Sequence, residues 1–135
     1  MANLRQYIYD KIRTDPIITS LGFDQDSMFN TNDVDTPQVR PMMVFRWGAS
    51  SVGLDVVNFR TFQVWVHDEP TDYTLIDTAL ERVRMVLTSV SGESTGDDDK
   101  WVSQIEWTGD SDDLDDDVQR TVTRYSQFNL VGSAV

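Results

Sequence analysis

The chain contains no cysteine and only one histidine, His67, among its 135 residues. Without cysteine, disulfides, thiolate zinc sites and cysteine nucleophiles are all excluded. No apolar run approaches the roughly 20 residues that a membrane-spanning helix needs. The N-terminus, Met1 to Gln6, has no apolar signal core and is typical of a mature cytoplasmic start. The sequence therefore predicts a protein without a membrane span and without thiol chemistry.

Basic residues are also scarce, with 11 Lys and Arg against 23 Asp and Glu, which gives a net charge of −12. This charge repels DNA phosphates at long range and argues against non-specific DNA binding. It suits a protein past which DNA must slide without sticking, and it equally suits plain solubility. The length and the hydrophobic content of 39% predict one globular domain, residues 1–135, with its own core.

Two periodicities meet in the middle of the chain. Side chains alternate from about Phe59 to His67, which predicts a strand with Phe62, Val64 and Val66 on one face. The other face carries Phe59, Thr61, Gln63 and Trp65. Apolar residues then recur at helical spacing, which predicts a helix from about Asp72 to Val90 with Thr71 or Asp72 as its cap.

The same two periods, with Gly, Pro, Asp and Asn at the turns, predict the other elements. The order is helix, strand, strand, helix, strand, strand. We therefore predict an α+β fold: a mostly antiparallel four- to five-stranded sheet with two main helices packed on one face. The remaining segments are a helix at Ala2–Arg13, a further helical turn at Pro16–Leu21, a polar connection at Phe23–Pro41, a strand at Met42–Trp47, a turn region at Gly48–Asn58, a flexible connector at Ser91–Lys100, a strand at Trp101–Thr108 with Trp101, Ile105 and Trp107 on one face, an acidic loop at Gly109–Asp117 and a strand at Val118–Leu130.

The connection between the first two strands is unusually apolar. An exposed hairpin tip with several apolar side chains must be covered by something, so we predict that it forms a subunit interface. Arg120 and Arg124, four residues apart on the last predicted strand, are further interface candidates, although pairing with acids of the same chain is the commoner arrangement. The apolar hairpin residues are Val52, Leu54, Val56 and Val57.

The densest charge lies between Gly109 and Asp117. Its aspartates indicate a surface that faces a basic partner or the lumen of an assembly, with plain solubilising charge as the alternative. A calcium loop is not predicted, because Leu114 and Asp115 occupy the positions of the third ligand and of the required glycine. The residues of this acidic group are Asp110, Asp112, Asp113, Asp115, Asp116 and Asp117.

No catalytic or cofactor-binding residue is predicted. His67 precedes Asp68, and a histidine beside an acid can transfer protons. Adjacent strand residues point to opposite faces, however, so these two side chains would not meet. The sequence also lacks phosphate-binding glycine loops, nucleophile elbows and zinc-ligand spacings. We therefore expect that the protein is not an enzyme.

The layout of the chain resembles the tail terminator proteins of long-tailed phages, especially phages that infect actinobacteria. The similarity lies in the order of elements and in size, over nearly the whole chain, and the family has no catalytic residues. The segments that carry it are Leu4-Arg5-Gln6-Tyr7-Ile8, Pro41-Met42-Met43-Val44-Phe45, Val64-Trp65-Val66-His67-Asp68 through Tyr73-Thr74-Leu75-Ile76-Asp77, and Val118-Gln119-Arg120 through Phe128-Asn129-Leu130.

This resemblance implies a virion protein that forms a six-membered ring on the last ring of the tail tube. Such a ring ends tube polymerisation and offers a joining surface to the neck of the capsid. Its partners would be its own copies, the tail tube protein and a neck or head-completion protein, while DNA passes through the lumen without specific binding. The alternatives are a neck, head-completion or other tail protein of similar fold and, from another class, a small α+β enzyme or ligand-binding domain.

Overall fold

The computed structural model describes residues 4–29, 41–52, 58–70, 73–95, 101–116 and 120–132. Ten elements follow one another along these parts of the chain. They are α1 (Leu4–Arg13), α2 (Pro16–Ser20), β1 (Met28–Phe29), β2 (Met42–Val52), β3 (Asn58–Asp68), α3 (Thr74–Thr88), β4 (Ser91–Ser94), β5 (Trp101–Asp110), β6 (Leu114–Asp116) and β7 (Thr121–Gly132).

The strands form one seven-stranded sheet in the order β1-β2-β3-β7-β5-β4, and β6 also pairs with β7. The β1–β2 pairing is parallel, and the other pairings are antiparallel. The predicted α+β class is confirmed, but the prediction of four to five strands was too small and the sheet is mixed. The additional strands β1, β4 and β6 have two to four residues each, too few to show an alternating pattern.

The core lies between one face of the sheet and the helices. Phe62, Val64 and Val66, which the alternation in β3 predicted to share a face, are buried there. An aromatic stack crosses three strands, with ring centroids 4.8 Å apart for Trp47–Phe62 and 5.3 Å apart for Phe62–Phe128. The helices contribute Leu4, Ile8 and Ile12 from α1 and Ile76, Ala79, Leu80, Val83 and Leu87 from α3.

The short helix α2 is capped and tied to α3 through one carboxylate. Asp15 accepts a hydrogen bond from the backbone N–H of Ile18 at 3.1 Å, and Pro16 follows at the start of the helix. The Arg82 guanidinium donates two further hydrogen bonds to Asp15, at 2.9 and 2.8 Å. These bonds hold the pKa of Asp15 below its usual value. The predicted turn after Asp15 is thus confirmed, and Gly22, with φ +104°, follows it.

The first hairpin and the main helix differ from their predicted bounds. β2 continues past Trp47 to Val52, with a register shift between Trp47 and Ser50, so part of the predicted turn region is strand. Helix α3 begins at Thr74 after Tyr73 at the N-cap position, which makes no side-chain capping bond. The prediction of a cap at Thr71 or Asp72 was therefore wrong.

The segment from β4 to β6 departs further from the prediction. Ser91–Ser94 is a strand rather than a connector, while residues 96–100 lie outside the described residues. A register shift between Val102 and Gln104 places Trp101 on the opposite face of β5 from Ile105. The predicted shared face was therefore wrong for Trp101. Ile105 and Trp107 do share a face, on which Ile105 is buried and Trp107 is 37% exposed. The predicted acidic loop contains the end of β5 and all of β6.

Candidate assembly surfaces

Arg124 in β7 organises the acidic part of the chain. Its guanidinium forms an ion pair with Asp77 near the start of α3, and it lies 3.5 Å from Asp113 and 4.0 Å from Asp110. It also donates two hydrogen bonds of 3.2 Å to the backbone carbonyl of Ser111. The side chain is thus committed to acids of its own chain, which was the alternative to its predicted interface role.

Further bonds fix the acidic segment, by which we mean residues Asp110–Asp116. Asp110 accepts hydrogen bonds from the indole N–H of Trp107, at 2.9 Å, and from the hydroxyl of Ser126. The Tyr73 hydroxyl donates a bond of 3.0 Å to the backbone carbonyl of Leu114. The segment is therefore a positioned structure that pairs with β7 rather than a loose loop.

The carboxylates of the acidic segment differ in what they contact. The carboxylates of Asp110 and Asp113 lie within 4.0 Å of the Arg124 guanidinium. The side chains of Asp112 and Asp115 are exposed to solvent. Asp117 lies outside the described residues. In the described part of the chain no group of three or more His, Cys, Asp or Glu residues has a geometry that could hold a metal ion. The exposed carboxylates thus remain available for a partner.

Arg120 does not share a strand face with Arg124. It precedes β7 in a turn, has a φ of 55° and is exposed. The prediction of two arginines on one strand face was wrong because β7 begins at Thr121 and not at Val118.

A second charged surface, which the sequence analysis did not predict, surrounds Trp47. The guanidinium carbons of Arg5 and Arg60 lie 5.8 and 4.9 Å from the centre of the Trp47 ring. Arg5 comes from α1 and Arg60 from β3, so helix and sheet each supply one cation. We call Arg5, Trp47 and Arg60 the arginine cluster.

The cations of the arginine cluster have no counter-charge among the residues that the structure describes. Neither Arg5 nor Arg60 forms an ion pair with another residue of the described ranges. The Nε atom of Arg60 is buried and has no hydrogen-bond partner there. Burial and the nearby Arg5 charge together lower the pKa of Arg60. Cation–π contact with Trp47 compensates only part of this cost.

Arg46 lies on the other face of β2, opposite Gln63 in the middle of β3. Its guanidinium lies 4.5 Å from the centre of the Trp65 ring, and its Nε is likewise buried without a described partner. A cavity of about 280 Å³ opens beside it, lined in part by Gln63 and Gln127, whose side-chain amides hydrogen-bond at 3.1 Å. Arg46 and Arg60 therefore each have a buried Nε without a hydrogen-bond partner in the described residues.

The arginine cluster and the acidic segment lie at opposite ends of the sheet. Arg60 pairs with Leu130, whereas Asp68, eight residues further along β3, pairs with Val122. Asp115 pairs with the same Val122 from the other side. At about 3.3 Å per strand residue, Arg60 and Asp115 are about 26 Å apart. Asp110, which pairs with Ser126, lies nearer the middle of the sheet. Arg60 and Asp115 do not neutralise each other within one chain.

The apolar hairpin begins at the arginine end. Ser50 pairs with Arg60, and Val52, the last residue of β2, pairs with Asn58, the first of β3. Leu54, Val56 and Val57 lie outside the described residues. The predicted role of this hairpin as an interface therefore remains a prediction.

His67 is a buried residue at the far end of β3, 3% exposed. Its Nδ1 lies 2.8 Å from the hydroxyl oxygen of Thr121, and its ring stacks on Trp65 with centroids 6.3 Å apart. Burial lowers its pKa to about 4, although the charge of Asp116 acts in the opposite direction. The ring is thus neutral at pH 7 and contacts a hydroxyl rather than a second titratable group.

Comparisons with known proteins give a fold relationship. No family model matches the chain, and no curated protein matches it. One similar solved structure is a chain of the "virion of native gene transfer agent (GTA) particle", with a TM-score of 0.70 and 11% identity over 96% of this chain and 94% of that chain. The protein therefore shares its fold, over its full extent, with a component of that particle. No described helix is both long and apolar enough to span a membrane.

Proposed function

We propose that the chain is a structural protein of a phage-like virion. The observation that carries this proposal is the fold, which matches a chain of the gene transfer agent virion with a TM-score of 0.70 over 96% of this chain and 94% of that chain.

The specific role that we propose is a ring that caps the tail tube at the junction of head and tail. Six copies would contact one another head to tail, end tube polymerisation and present a surface to a neck protein. A ring needs two different, mutually complementary surfaces on each copy. The opposite charges at the two ends of the sheet provide such a pair, and the apolar hairpin at the arginine end supports the same interface. The net negative charge would discourage passing DNA from sticking.

Inactivation of the gene in the phage or particle that encodes the protein tests this role. Without the cap we expect tails of irregular and excessive length that do not join heads, as seen by electron microscopy. Tails of normal length that fail to join heads would instead favour a neck or head-completion protein. Normal particles would reject both proposals.

The hairpin is tested by replacing Leu54 and Val56 with Asp. We expect a folded protein that does not assemble, because a buried interface tolerates an unpaired charge poorly. The matched control is the exposed Met85→Asp on α3, which should assemble normally. Unfolding of the double variant, measured by circular dichroism, would assign these residues to the core and contradict the interface role.

A further inference from the structure

The chain carries cations and carboxylates that are separated by the length of its sheet. The arginine cluster has no described counter-charge, and it includes a buried Nε without a hydrogen-bond partner. An uncompensated, partly buried charge is costly unless a partner supplies the opposite charge. Within the described residues this surface therefore holds a cation without a counter-charge.

The same chain supplies a partner with the required chemistry. Asp112 and Asp115 are exposed, and their backbone is held in place by the pairing of β6 with β7 and by the contacts of Arg124. Arginine forms strong, directional hydrogen bonds with carboxylates, which makes a carboxylate the natural ligand of an arginine pair. A positioned ligand loses less conformational entropy on binding than a loose one.

The geometry permits this contact only between two copies. Arg60 and Asp115 are about 26 Å apart along β3 and β7, so these two side chains cannot meet within one chain. A contact between two different surfaces of identical chains is heterologous, and it continues from copy to copy until a ring or a filament forms.

We propose that the arginine cluster receives the exposed carboxylates of the acidic segment from a neighbouring copy of this chain. This inference deepens the proposed ring and rests on it, since it names the residues that join adjacent copies. It also assigns Asp112 and Asp115 to a subunit contact rather than to the lumen. Trp47 acts as the platform that holds Arg5 and Arg60 side by side for the incoming carboxylates.

A charge exchange tests the contact. Arg5→Glu and Asp115→Lys should each raise the dissociation constant for self-association at least about tenfold, because each replaces an attraction by a repulsion. Combined in one chain, the two changes restore an attractive pair and should bring the constant back to within about threefold of the wild type. Arg5 and Asp115 are both exposed, so these variants should fold normally.

The matched control is Arg84→Glu. Arg84 is also an exposed arginine over a tryptophan, 3.8 Å from the Trp107 ring centre, but it lies on α3 away from the cluster. We expect it to leave association unchanged. Sedimentation velocity over a concentration series gives the constants, and raising NaCl from 0.1 to 1 M should weaken the wild type as the Debye length falls from about 10 to about 3 Å.

Four outcomes would overturn the inference. The first is a wild-type protein that stays monomeric up to about 1 mM. The second and third are a double variant that self-associates as weakly as the single variants, and an Arg84→Glu variant that self-associates as weakly as Arg5→Glu. The fourth is binding of a short DNA duplex that Arg5→Glu abolishes while self-association is unchanged. The last outcome would make phosphate the ligand of the cluster. The tail-length experiment is independent of these measurements: if it succeeds while the charge exchange fails, the capping role stands and only this contact falls.

Discussion

The buried histidine makes the stability of this fold depend on pH in a way that can be worked out in advance. His67 is 3% exposed and its pKa falls from 6.5 to about 4 on folding. Between these two pKa values the unfolded chain binds a proton that the folded chain does not. The free energy of unfolding therefore decreases as the pH falls from about 6.5 to about 4. Above pH 6.5 both states are neutral at this residue, and its contribution is constant.

The magnitude follows from the size of the shift. One pKa unit corresponds to 1.36 kcal/mol, so the full shift is worth about 3 kcal/mol, of which about 2 kcal/mol is lost by pH 5. The variant His67→Gln removes the titration and keeps a side chain that can hydrogen-bond with Thr121. Subtracting its free energy of unfolding from that of the wild type, pH by pH, cancels the titration of the carboxylates.

Urea denaturation at a series of pH values between 4.5 and 8, on the order of one pH unit apart, gives this difference. We expect a flat difference above about pH 7 and a decline towards lower pH. Because the chain has one histidine, its ring resonance in proton NMR also reports the pKa directly. A difference that stays flat down to pH 5, or an NMR pKa near 6.5, would refute the burial argument.

Two further predictions concern stability. Asp15→Ala should cost about 2–4 kcal/mol, because it removes the cap of α2 and leaves Arg82 without its carboxylate. The control Asp26→Ala, at an exposed residue, should change the free energy of unfolding by less than about 0.5 kcal/mol. Phe62→Ala should cost about 3–5 kcal/mol because it empties the centre of the aromatic stack, with the exposed Met85→Ala as control. Urea denaturation gives the free energy of unfolding of all four variants. An equal loss of stability in a variant and its control would contradict the assigned contacts.

Periodicity predicted the parts of the fold that bury a continuous apolar face. The face of β3 at Phe62, Val64 and Val66 and the long helix were both recovered, because burial itself imposes periods of 2 and 3.6. The short edge strand at Ser91–Ser94 was missed, since its side chains are mostly exposed and its strand form depends on pairing with β5. The bulge between Val102 and Gln104 in β5 likewise leaves no signal in composition, although it decides that Trp101 lies on the opposite face from Ile105.

The charged surfaces could be predicted from the sequence only in part. The density of aspartates made the acidic segment visible from sequence, but its attachment through Arg124 depends on the register of β7. The arginine cluster was missed because its members, Arg5, Trp47 and Arg60, are far apart in sequence and meet only when α1 packs across the paired strands β2 and β3. Only a prediction of that packing would have brought them together.

We propose that the protein forms a single ring at the head-proximal end of a tail tube. Cryo-electron microscopy of purified particles, with local reconstruction of the head–tail junction, would show such a ring and its position. We expect six copies in one ring, with the arginine cluster of each copy facing the acidic segment of the next. Copies repeated along the tube, or a ring of twelve located only in the neck, would contradict the proposed ring.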